Sequence, residues 1–174
     1  ILGGGPGGLS AAYYLALMGH HVEVFEKNKK LGGMLRYGIP SYRLPRERLD
    51  EDLEAILSTG ITVHTGVEVG KDVTLPQIKD AFDCIYISIG AQSDKKIGIE
   101  GEDKQMLRSI GDGALPDFRK KRVVVVGGGN VAMDCTRSAK RLGAESVTCV
   151  YRRRKVDMTA LPDEIEGALG EGCE

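Results

Sequence analysis

The sequence predicts an α/β fold in which two β–α–β units follow one another along the chain. Short apolar stretches alternate with amphipathic ones, as strands and helices do in such folds. Glycine is unusually frequent, with 24 residues in 174, nearly twice the usual share of about 7%. The glycines cluster in "GGGPGG", "LGG", "VGGGN" and the last few residues. Two of these clusters, "GGGPGG" and "VGGGN", each stand between a strand-like stretch and a helix-like stretch.

Composition excludes several classes of protein. The formal net charge of −1 gives no overall field that would attract nucleic acid or an anionic membrane. No stretch approaches the ~20 apolar residues of a membrane span. The sequence has four cysteines, Cys84, Cys135, Cys149 and Cys173, and no two of them form a CxxC pair. No histidine lies near them at metal-ligand spacing. We therefore expect free thiols in a reducing, cytoplasmic compartment, with neither a metal site nor a redox disulfide.

The first part of the chain alternates strands and helices. Residues 1–2 are the stub of a strand, and Gly19 ends the helix that follows. The helix at 45–58 is amphipathic, because Leu49, Leu53, Ile56 and Leu57 share one face and Pro45 suits its first turn. The predicted elements are strands at 21–26, 61–64 and 84–89, the last of them buried, and helices at 9–18, 45–58 and 75–82, with Thr74 as a cap.

The second part repeats the pattern after a polar connector at 93–121, which contains one short helix around Met106. Near-continuous valine at 122–126 predicts a strand covered on both faces of its sheet. A helix at 130–142 stopped by Gly143, a strand at 146–150 and a helix at 162–169 follow. The predicted domains are 1–104 and 105–174, and we expect both to be incomplete because the first strand has only two residues before its glycines.

The two glycine clusters carry the same motif. The first is Gly3-x-Gly5-x-x-Gly8, and the second is Gly127-x-Gly129-x-x-Ala132. The first glycine permits a tight turn, the second lets a pyrophosphate approach the backbone, and the third small residue lets the helix pack on the strand. Since each copy lies between a strand and a helix, we predict two Rossmann-like dinucleotide-binding domains in tandem. The alternative is that the glycines serve close packing only.

The residues that follow the second strand of each copy differ in charge. In the first copy this strand ends at Glu26, whose carboxylate can accept both ribose hydroxyls of FAD or NAD and would repel a 2′-phosphate. In the second copy Arg152, Arg153 and Arg154 stand in that place. Guanidinium groups bind phosphate bidentately, which suits the 2′-phosphate of NADP. The alternative for the arginines is a solvated basic loop.

Two different sites imply two cofactors, FAD and NADP(H), in an electron-transfer flavoprotein. In such a protein the flavin carries the redox chemistry and the chain supplies orientation and electrostatics. The sequence accordingly shows no acid–base dyad and no nucleophile. We interpret His20, His21 and His64 as structural and predict no catalytic side chain.

Two long stretches resemble a known family. They are "GGGPGGLSAAYYLALMGHHVEVFEKNKKLGGMLRYGIPSYRLP" and "KRVVVVGGGNVAMDCTRSAKRLGAESVTCVYRRRKVDMTALPDEIEGA". Both are similar to the small (β) subunit of NADPH-dependent glutamate synthase. The wider family includes the flavin region of dihydropyrimidine dehydrogenase, the large subunit of NADH-dependent ferredoxin:NADP oxidoreductase and, more distantly, adrenodoxin reductase. The resemblance implies a glutathione-reductase-like fold with FAD and NAD(P) domains.

The resemblance also implies roles for particular residues. Those implied for FAD are Gly3, Gly4, Gly5, Pro6, Gly7 and Gly8 around the pyrophosphate, Glu26 and Lys27 at the adenosine ribose, Gly33 and Met34 toward the flavin, Arg43, Val69 at the adenine, and Gly90 in the "SIGA" turn. Those implied for NADP are Gly128, Gly129, Asn130 and Val131 in the loop, Arg152 and Arg153 at the 2′-phosphate, and Glu164 near the nicotinamide.

The family resemblance implies hydride transfer between NADPH and FAD. Electrons would then pass to the iron–sulfur clusters of a partner domain or of a large catalytic subunit. Two other functions stay open at this point. One is a thioredoxin-reductase-like disulfide oxidoreductase, against which the lack of a CxxC pair argues. The other is a non-catalytic nucleotide-binding fragment.

Overall fold

The structure, a computed structural model, describes residues 1–91 and 116–174. The chain divides into two compact units, Ile1–Glu102 and Asp103–Glu174, and each has its own parallel strands and its own apolar core. The predicted helix around Met106 and the predicted domain boundary at 104/105 lie outside the described residues.

The first unit begins with a helix that starts earlier than predicted. This helix starts at Pro6 because a proline at the first helical position needs no hydrogen-bond acceptor. The four-residue helix that begins at Met34 was not predicted. The elements are α1 (Pro6–Leu17), β1 (Glu23–Glu26), α2 (Met34–Tyr37), α3 (Arg46–Leu57), β2 (Thr62–Thr65) and α4 (Leu75–Ala81).

The strands of the first unit run parallel and bring one edge of the sheet together. β1 pairs with β2, with Glu26 opposite Thr65, and on its other side Leu2 bridges both Phe25 and Ile87. The order across the sheet is therefore β2, β1, Leu2 and Ile87. Because carboxyl ends of parallel strands meet at one edge, the glycine turn after Leu2 lies beside the end of β1.

The core of the first unit lies between the sheet and the two longer helices. Leu9 of α1 and Leu49 and Leu53 of α3 are buried together, and Ile56 and Leu57 pack against them. The predicted apolar face of α3 is thus confirmed. Thr74 caps α4 as predicted, since its hydroxyl oxygen accepts the backbone N–H of Gln77. Pro45 lies one position before the first turn of α3, at the N-cap.

The prediction of a buried strand at 84–89 was wrong. Only Ile87 bridges a neighbouring residue there, and Tyr86, Ile87 and Ile89 are exposed by 48%, 63% and 64%. The Leu2 backbone exchanges hydrogen bonds with Tyr86 and Ser88, but the chain turns away at the glycines immediately afterwards. A partner with a single pairing residue cannot support a longer strand.

The second unit has the same β–α–β order. β3 (Arg122–Val126) pairs in parallel with β4 (Ser146–Val150), and α5 (Asn130–Arg141) connects them. A 3₁₀ turn at Lys155–Asp157 and α6 (Pro162–Gly170) follow. Met133 and Ala139 of α5, Val147 of β4 and Ala168 of α6 form the core.

The valines of β3 are not covered on both faces, contrary to the prediction. Val123 and Val125 pack against the core, whereas Val124 and Val126 are exposed by 63% and 62%. The reason is that α5 and α6 both join the core on the same side of the sheet. Among the described residues, the other face of β3 is open. No helix within the described residues is long and apolar enough to cross a membrane.

Two histidines of the first unit pair with one carboxylate. The Nε2 atom of His64 lies 2.7 Å from Oε2 of Glu23, and that of His21 lies 3.2 Å from Oε1. The hydrogen bond with His64 is the main cause that lowers the pKa of Glu23 below its ordinary value, and the bond with His21 adds to it. The contact with His64 links β1 to β2, whereas His21 lies just before β1.

The Glu23→Gln protein is expected to have a lower free energy of unfolding than the wild type at neutral pH. In acid, this difference between the two proteins should disappear. A carboxyl whose folded-state pKa is lowered stabilises the fold above its unfolded pKa, and this contribution is lost as the pH falls through the folded value. Exposed ion pairs contribute about 0.2–1 kcal/mol, so we expect a difference of that size at pH 7. Urea unfolding of both proteins between pH 7 and pH 3 would measure it. A difference that grew in acid would contradict this role of Glu23.

Candidate functional site

The first glycine cluster forms a tight turn that only glycine fits. A Cβ atom at Gly3, whose φ is +109°, would lie 2.2 Å from the carbonyl oxygen of Ser88. One at Gly8 would lie 2.0 Å from the carbonyl oxygen of Gly3. α1 begins directly after Gly5 with no side-chain cap, and Pro6 and Gly7 are exposed. Its first N–H groups and the positive end of the helix dipole suit a phosphate group.

Glu26 is buried beside this turn, with only 4% of the residue exposed. Its Oε2 atom accepts the backbone N–H of Gly4 at 2.7 Å. Its Oε1 atom accepts both the backbone N–H and the side-chain amide of Asn28, each at 2.7 Å. A carboxylate offers about four acceptor positions, so the structure leaves one for a ribose hydroxyl. Accepting both hydroxyls, as predicted, requires one Asn28 hydrogen bond to open.

A second backbone segment lies against the same glycine turn. Gly32 donates its N–H to the carbonyl oxygen of Gly4 at 2.8 Å. A Cβ atom at Gly33, whose φ is +51°, would lie 2.7 Å from the Cα atom of Gly5. The structure therefore brings Gly33 to the predicted pyrophosphate loop, and the exposed side chain of Met34 follows it.

For the other residues predicted to bind FAD, the structure gives a position but no contact with the first glycine turn. Lys27 is exposed beside Glu26, and Gly90 adopts a φ of +69°. Val69 is half-buried and bridges Val73. The Arg43 guanidinium lies 5.7 Å from the centre of the Tyr42 ring. The roles of these four residues toward FAD stay predictions.

The second glycine cluster is covered by the segment that follows β4. Gly128 packs on the Tyr151 ring, where a Cβ atom would lie 2.6 Å from a ring carbon. The carbonyl oxygen of Gly128 accepts the N–H of Ala160 at 2.9 Å, and Oδ1 of Asn130 accepts that of Leu161 at 2.9 Å. Gly129 and the exposed Val131 stand at the start of α5. The loop after β4 is thus fixed to the predicted NADP loop.

The three arginines after β4 have different surroundings. Arg154 forms an ion pair with Asp157, with Nε 3.0 Å from Oδ2. Arg152 and Arg153 are exposed, and neither forms an ion pair with any residue that the structure describes. Arg153 lines a cavity of about 270 Å³ together with Tyr151 and Lys155. Most of the other residues that line this cavity are apolar core residues such as Met133 and Ile165, and none of Gly127, Gly128 and Gly129 lines it.

Glu164 takes part in contacts between helices. Its Oε2 atom lies 3.3 Å from the Arg137 guanidinium of α5, and the side chain is 15% exposed. Glu171, at the C-cap of α6, pairs with Arg137 at 2.8 Å and with Arg141 at 2.7 Å. This network joins α5 to α6, and a role of Glu164 at the nicotinamide stays a prediction.

Sequence reasoning missed four residues that shape these sites. The side-chain amide of Asn28 donates a hydrogen bond to Glu26, and Arg36 is buried next to Gly32. The Tyr151 ring packs against Gly128, and Lys155 lines the cavity. Lys155 extends the basic run "RRRK", which was a usable signal. The others depend on contacts that the local sequence does not specify. The described residues contain no cluster of histidine, cysteine or acidic side chains that could hold a metal ion.

The cysteines differ from the prediction at one position. Cys84 is exposed, because the segment around it is not a buried strand. Burial raises the pKa of the Cys135 thiol to about 11, with a smaller contribution from Asp134. Burial also raises the pKa of Cys149 and of Cys173.

Iodoacetamide at pH 8 is expected to label Cys84 at least about tenfold faster than the other cysteines, because the thiolate is the reactive form. With a pKa of about 11, only about one Cys135 thiol in a thousand is ionised at pH 8. Mass spectrometry of the labelled peptides measures the four rates, and labelling in 8 M urea, where all four should react alike, is the control. Equal rates in the folded protein would contradict the burial of the three thiols.

Comparison with known proteins identifies a family. A sequence profile of the family described as "Pyridine nucleotide-disulphide oxidoreductase" matches residues 1–172. The beta subunit of NADP(+)-dependent formate dehydrogenase from Moorella thermoacetica is 44% identical over 99% of this chain. The beta subunit of NADPH-Fe(3+) oxidoreductase from Geobacter sulfurreducens is 42% identical over 99%. The small chain of glutamate synthase [NADPH] from Escherichia coli is 34% identical over 100%, which confirms the predicted resemblance.

The chain spans only part of each of these relatives. It covers 26% of the formate dehydrogenase subunit, 27% of the iron oxidoreductase subunit and 40% of the glutamate synthase small chain.

Solved structures show the fold. FprA from Mycobacterium tuberculosis in complex with NADPH superimposes with a TM-score of 0.74 at 21% identity, over 97% of this chain and 46% of that one. Lactococcus lactis thioredoxin reductase superimposes with a TM-score of 0.66 at 24% identity, over 97% of this chain and 59% of that one. The likeness confirms the predicted α/β class, with the FAD/NAD(P)-binding fold of these oxidoreductases.

Proposed function

The chain belongs to the pyridine nucleotide-disulphide oxidoreductase family, and we propose that it is the flavin module of an NADPH-linked electron-transfer protein. FAD and NADP(H), the two predicted cofactors, are those of the family. When bound, FAD exchanges a hydride with NADPH and can pass electrons on singly. We propose that the two cofactors occupy two domains in tandem, FAD in the first and NADP(H) in the second.

The observation that carries this proposal is the opposite charge beside two similar glycine turns. In the first unit a buried carboxylate, Glu26, faces the backbone of Gly4 at 2.7 Å. In the second unit the same position is occupied by Arg152 and Arg153, and Arg153 lines a cavity. A carboxylate would repel a 2′-phosphate and two guanidinium groups would attract it. The difference in charge supports our proposal that FAD binds at the first turn and NADP(H) at the second.

The residues of the first unit would bind and orient the flavin nucleotide. The uncapped start of α1 supplies backbone N–H groups for the pyrophosphate. Glu26 has one acceptor position left for a ribose hydroxyl, and the Gly32–Gly33 turn closes one side of the loop. No acid or base is needed for hydride exchange, which agrees with the lack of a predicted catalytic side chain.

The residues of the second unit would hold the nicotinamide nucleotide at its adenosine end. Gly128 is buried against the Tyr151 ring, so a pyrophosphate would meet the uncapped start of α5 at Gly129 and Asn130. Asn130 fixes the loop that carries the arginines through its bond to Leu161. These contacts would position Arg152 and Arg153 for the 2′-phosphate.

The onward path of the electrons is proposed from the relatives. Formate dehydrogenase, ferric iron reductase and glutamate synthase subunits all match this chain, and their names give three different reactions. A shared module that exchanges electrons with NADP(H) would explain this, with an iron–sulfur domain or a large catalytic subunit as partner. A disulfide-reductase role is not favoured, because all four cysteines are free and none form a CxxC pair.

The test is the identity of the bound cofactor in the whole protein purified aerobically. We expect a flavin absorption spectrum and, after heat release, FAD alone on chromatography. A colourless protein that also fails to bind added FAD would overturn the proposed function. A protein that carries FMN would overturn the role of Glu26, since FMN lacks the adenosine ribose.

A further inference from the structure

Arg36 is a buried arginine that connects α3 to the segment beside the first glycine turn. Only 4% of the residue is exposed, and a buried guanidinium is costly unless it is paired. Its Nε–H donates to the carbonyl oxygen of Leu31 at 2.6 Å. Its Nη2 atom forms an ion pair with Asp50 of α3, whose side chain is 52% exposed.

The carbonyl group that Arg36 holds belongs to the turn that contacts the predicted pyrophosphate loop. After Leu31, Gly32 donates its N–H to the carbonyl oxygen of Gly4 at 2.8 Å. The turn has positive φ at both Gly32 and Gly33, +112° and +51°. A Cβ atom at Gly4 would lie 2.5 Å from the Leu31 side chain. The loop and the turn are therefore in contact over several atoms, and movement of one displaces the other.

We propose that Arg36 is a positioning residue for the flavin site, which acts by fixing the Leu31–Gly33 turn against the glycine loop. The proposal rests on the proposed function, because it takes the loop to bind FAD. Asp50 forms an ion pair with Arg36, and Arg36 donates a hydrogen bond to Leu31. The next residue, Gly32, donates a hydrogen bond to Gly4. Arginine suits this role because its planar group makes two directed contacts at once, whereas a lysine ammonium is a point charge on a flexible stem.

Arg46 provides a comparison close to Arg36, since it is half-buried and its charge interacts with both Arg36 and Asp50. It also donates to backbone carbonyl groups, to Leu35 at 2.9 Å and to Ile39 at 2.7 Å. None of its hydrogen bonds reaches the Leu31–Gly33 turn or the glycine loop. A contribution to stability alone would be shared by both arginines, whereas a contribution to FAD binding would belong to Arg36.

The experiment compares Arg36→Lys, Asp50→Asn and Arg46→Lys in the whole protein. FAD is removed, the dissociation constant for added FAD is measured by flavin fluorescence quenching, and the melting temperature of each apoprotein is recorded. We expect Arg36→Lys to weaken FAD binding about tenfold or more, which is the effect of losing one charge-assisted hydrogen bond. Asp50→Asn should weaken it about threefold. Arg46→Lys should lower the melting temperature and change the dissociation constant less than twofold.

Two results would overturn the inference. One is an unchanged dissociation constant for FAD in Arg36→Lys, and the other is equal weakening in Arg36→Lys and Arg46→Lys. If Arg36→Lys does not fold, Asp50→Asn decides, because an unchanged constant there overturns the inference and a weakened one supports it. A wild-type protein that binds no FAD would overturn the proposed function itself, which separates the two failures.

Discussion

Glu26→Arg is expected to leave the purified whole protein nearly free of flavin. Glu26 is buried, and its carboxylate accepts hydrogen bonds from Gly4 and Asn28. An arginine in that place would bury a cation among N–H donors and would offer no acceptor to the ribose. Loss of one charge-assisted hydrogen bond to the ribose costs about 1.5–3 kcal/mol, which corresponds to roughly ten- to 150-fold in affinity. The ratio of flavin absorbance to protein gives the occupancy.

A milder variant and a control separate binding from folding. Glu26→Gln keeps the shape and one acceptor oxygen, so we expect a folded protein whose FAD affinity is about tenfold weaker. Glu23→Gln on the same strand has no hydrogen bond to the glycine loop and should keep normal occupancy. If Glu26→Gln bound FAD as tightly as the wild type, Glu26 would have no role at the ribose.

The doubly substituted Arg152→Ala, Arg153→Ala protein is expected to lose its preference for NADPH. Neither arginine has an ion-pair partner among residues 1–91 and 116–174, so both are available to a phosphate. A charge-assisted hydrogen bond contributes ~1.5–3 kcal/mol, and two of them could give about a hundredfold or more in kcat/KM. The value for NADPH should fall by that factor, and the value for NADH should stay within about twofold.

The neighbouring arginine supplies the control for this experiment. Arg154 pairs with Asp157 and does not line the cavity, so Arg154→Ala should change neither value by more than about twofold. Equal losses for NADPH and NADH would mean that the arginines contact the shared pyrophosphate or support the fold. No loss would mean a solvated loop.

Glycine turns could be predicted from the sequence because their geometry admits few other residues. The positive φ of Gly3 and the contact of Gly8 with Gly3 leave no room for a side chain, so the spacing itself encodes the turn. The helices were predicted for a similar reason, since Leu49 and Leu53 recur at the period of one helical face. The end of β1 at Glu26 followed from the spacing between turn and strand.

Contacts between distant segments could not be predicted in the same way. Whether the 84–89 segment is buried depends on how many residues pair with it, and among the described residues Leu2 alone does. The ion pair of Glu164 with Arg137 joins residues 27 positions apart, and the pairing of Arg36 with Asp50 depends on how α2 meets α3. The hydrogen bonds from Asn28 to Glu26 join residues two positions apart. The sequence "FEKN" nevertheless does not indicate whether the Asn28 side chain bonds to Glu26 or points into solvent.

The central claim is that one chain brings NADPH and FAD together for hydride transfer. The most direct measurement is an anaerobic titration of the oxidised whole protein with NADPH, followed by absorbance at 450 nm. The account predicts that one equivalent of NADPH per flavin bleaches the band, and that NADH at the same concentration does so at least about a hundredfold more slowly. A flavin band that stays unchanged after excess NADPH, in a protein shown to contain FAD, would contradict the account.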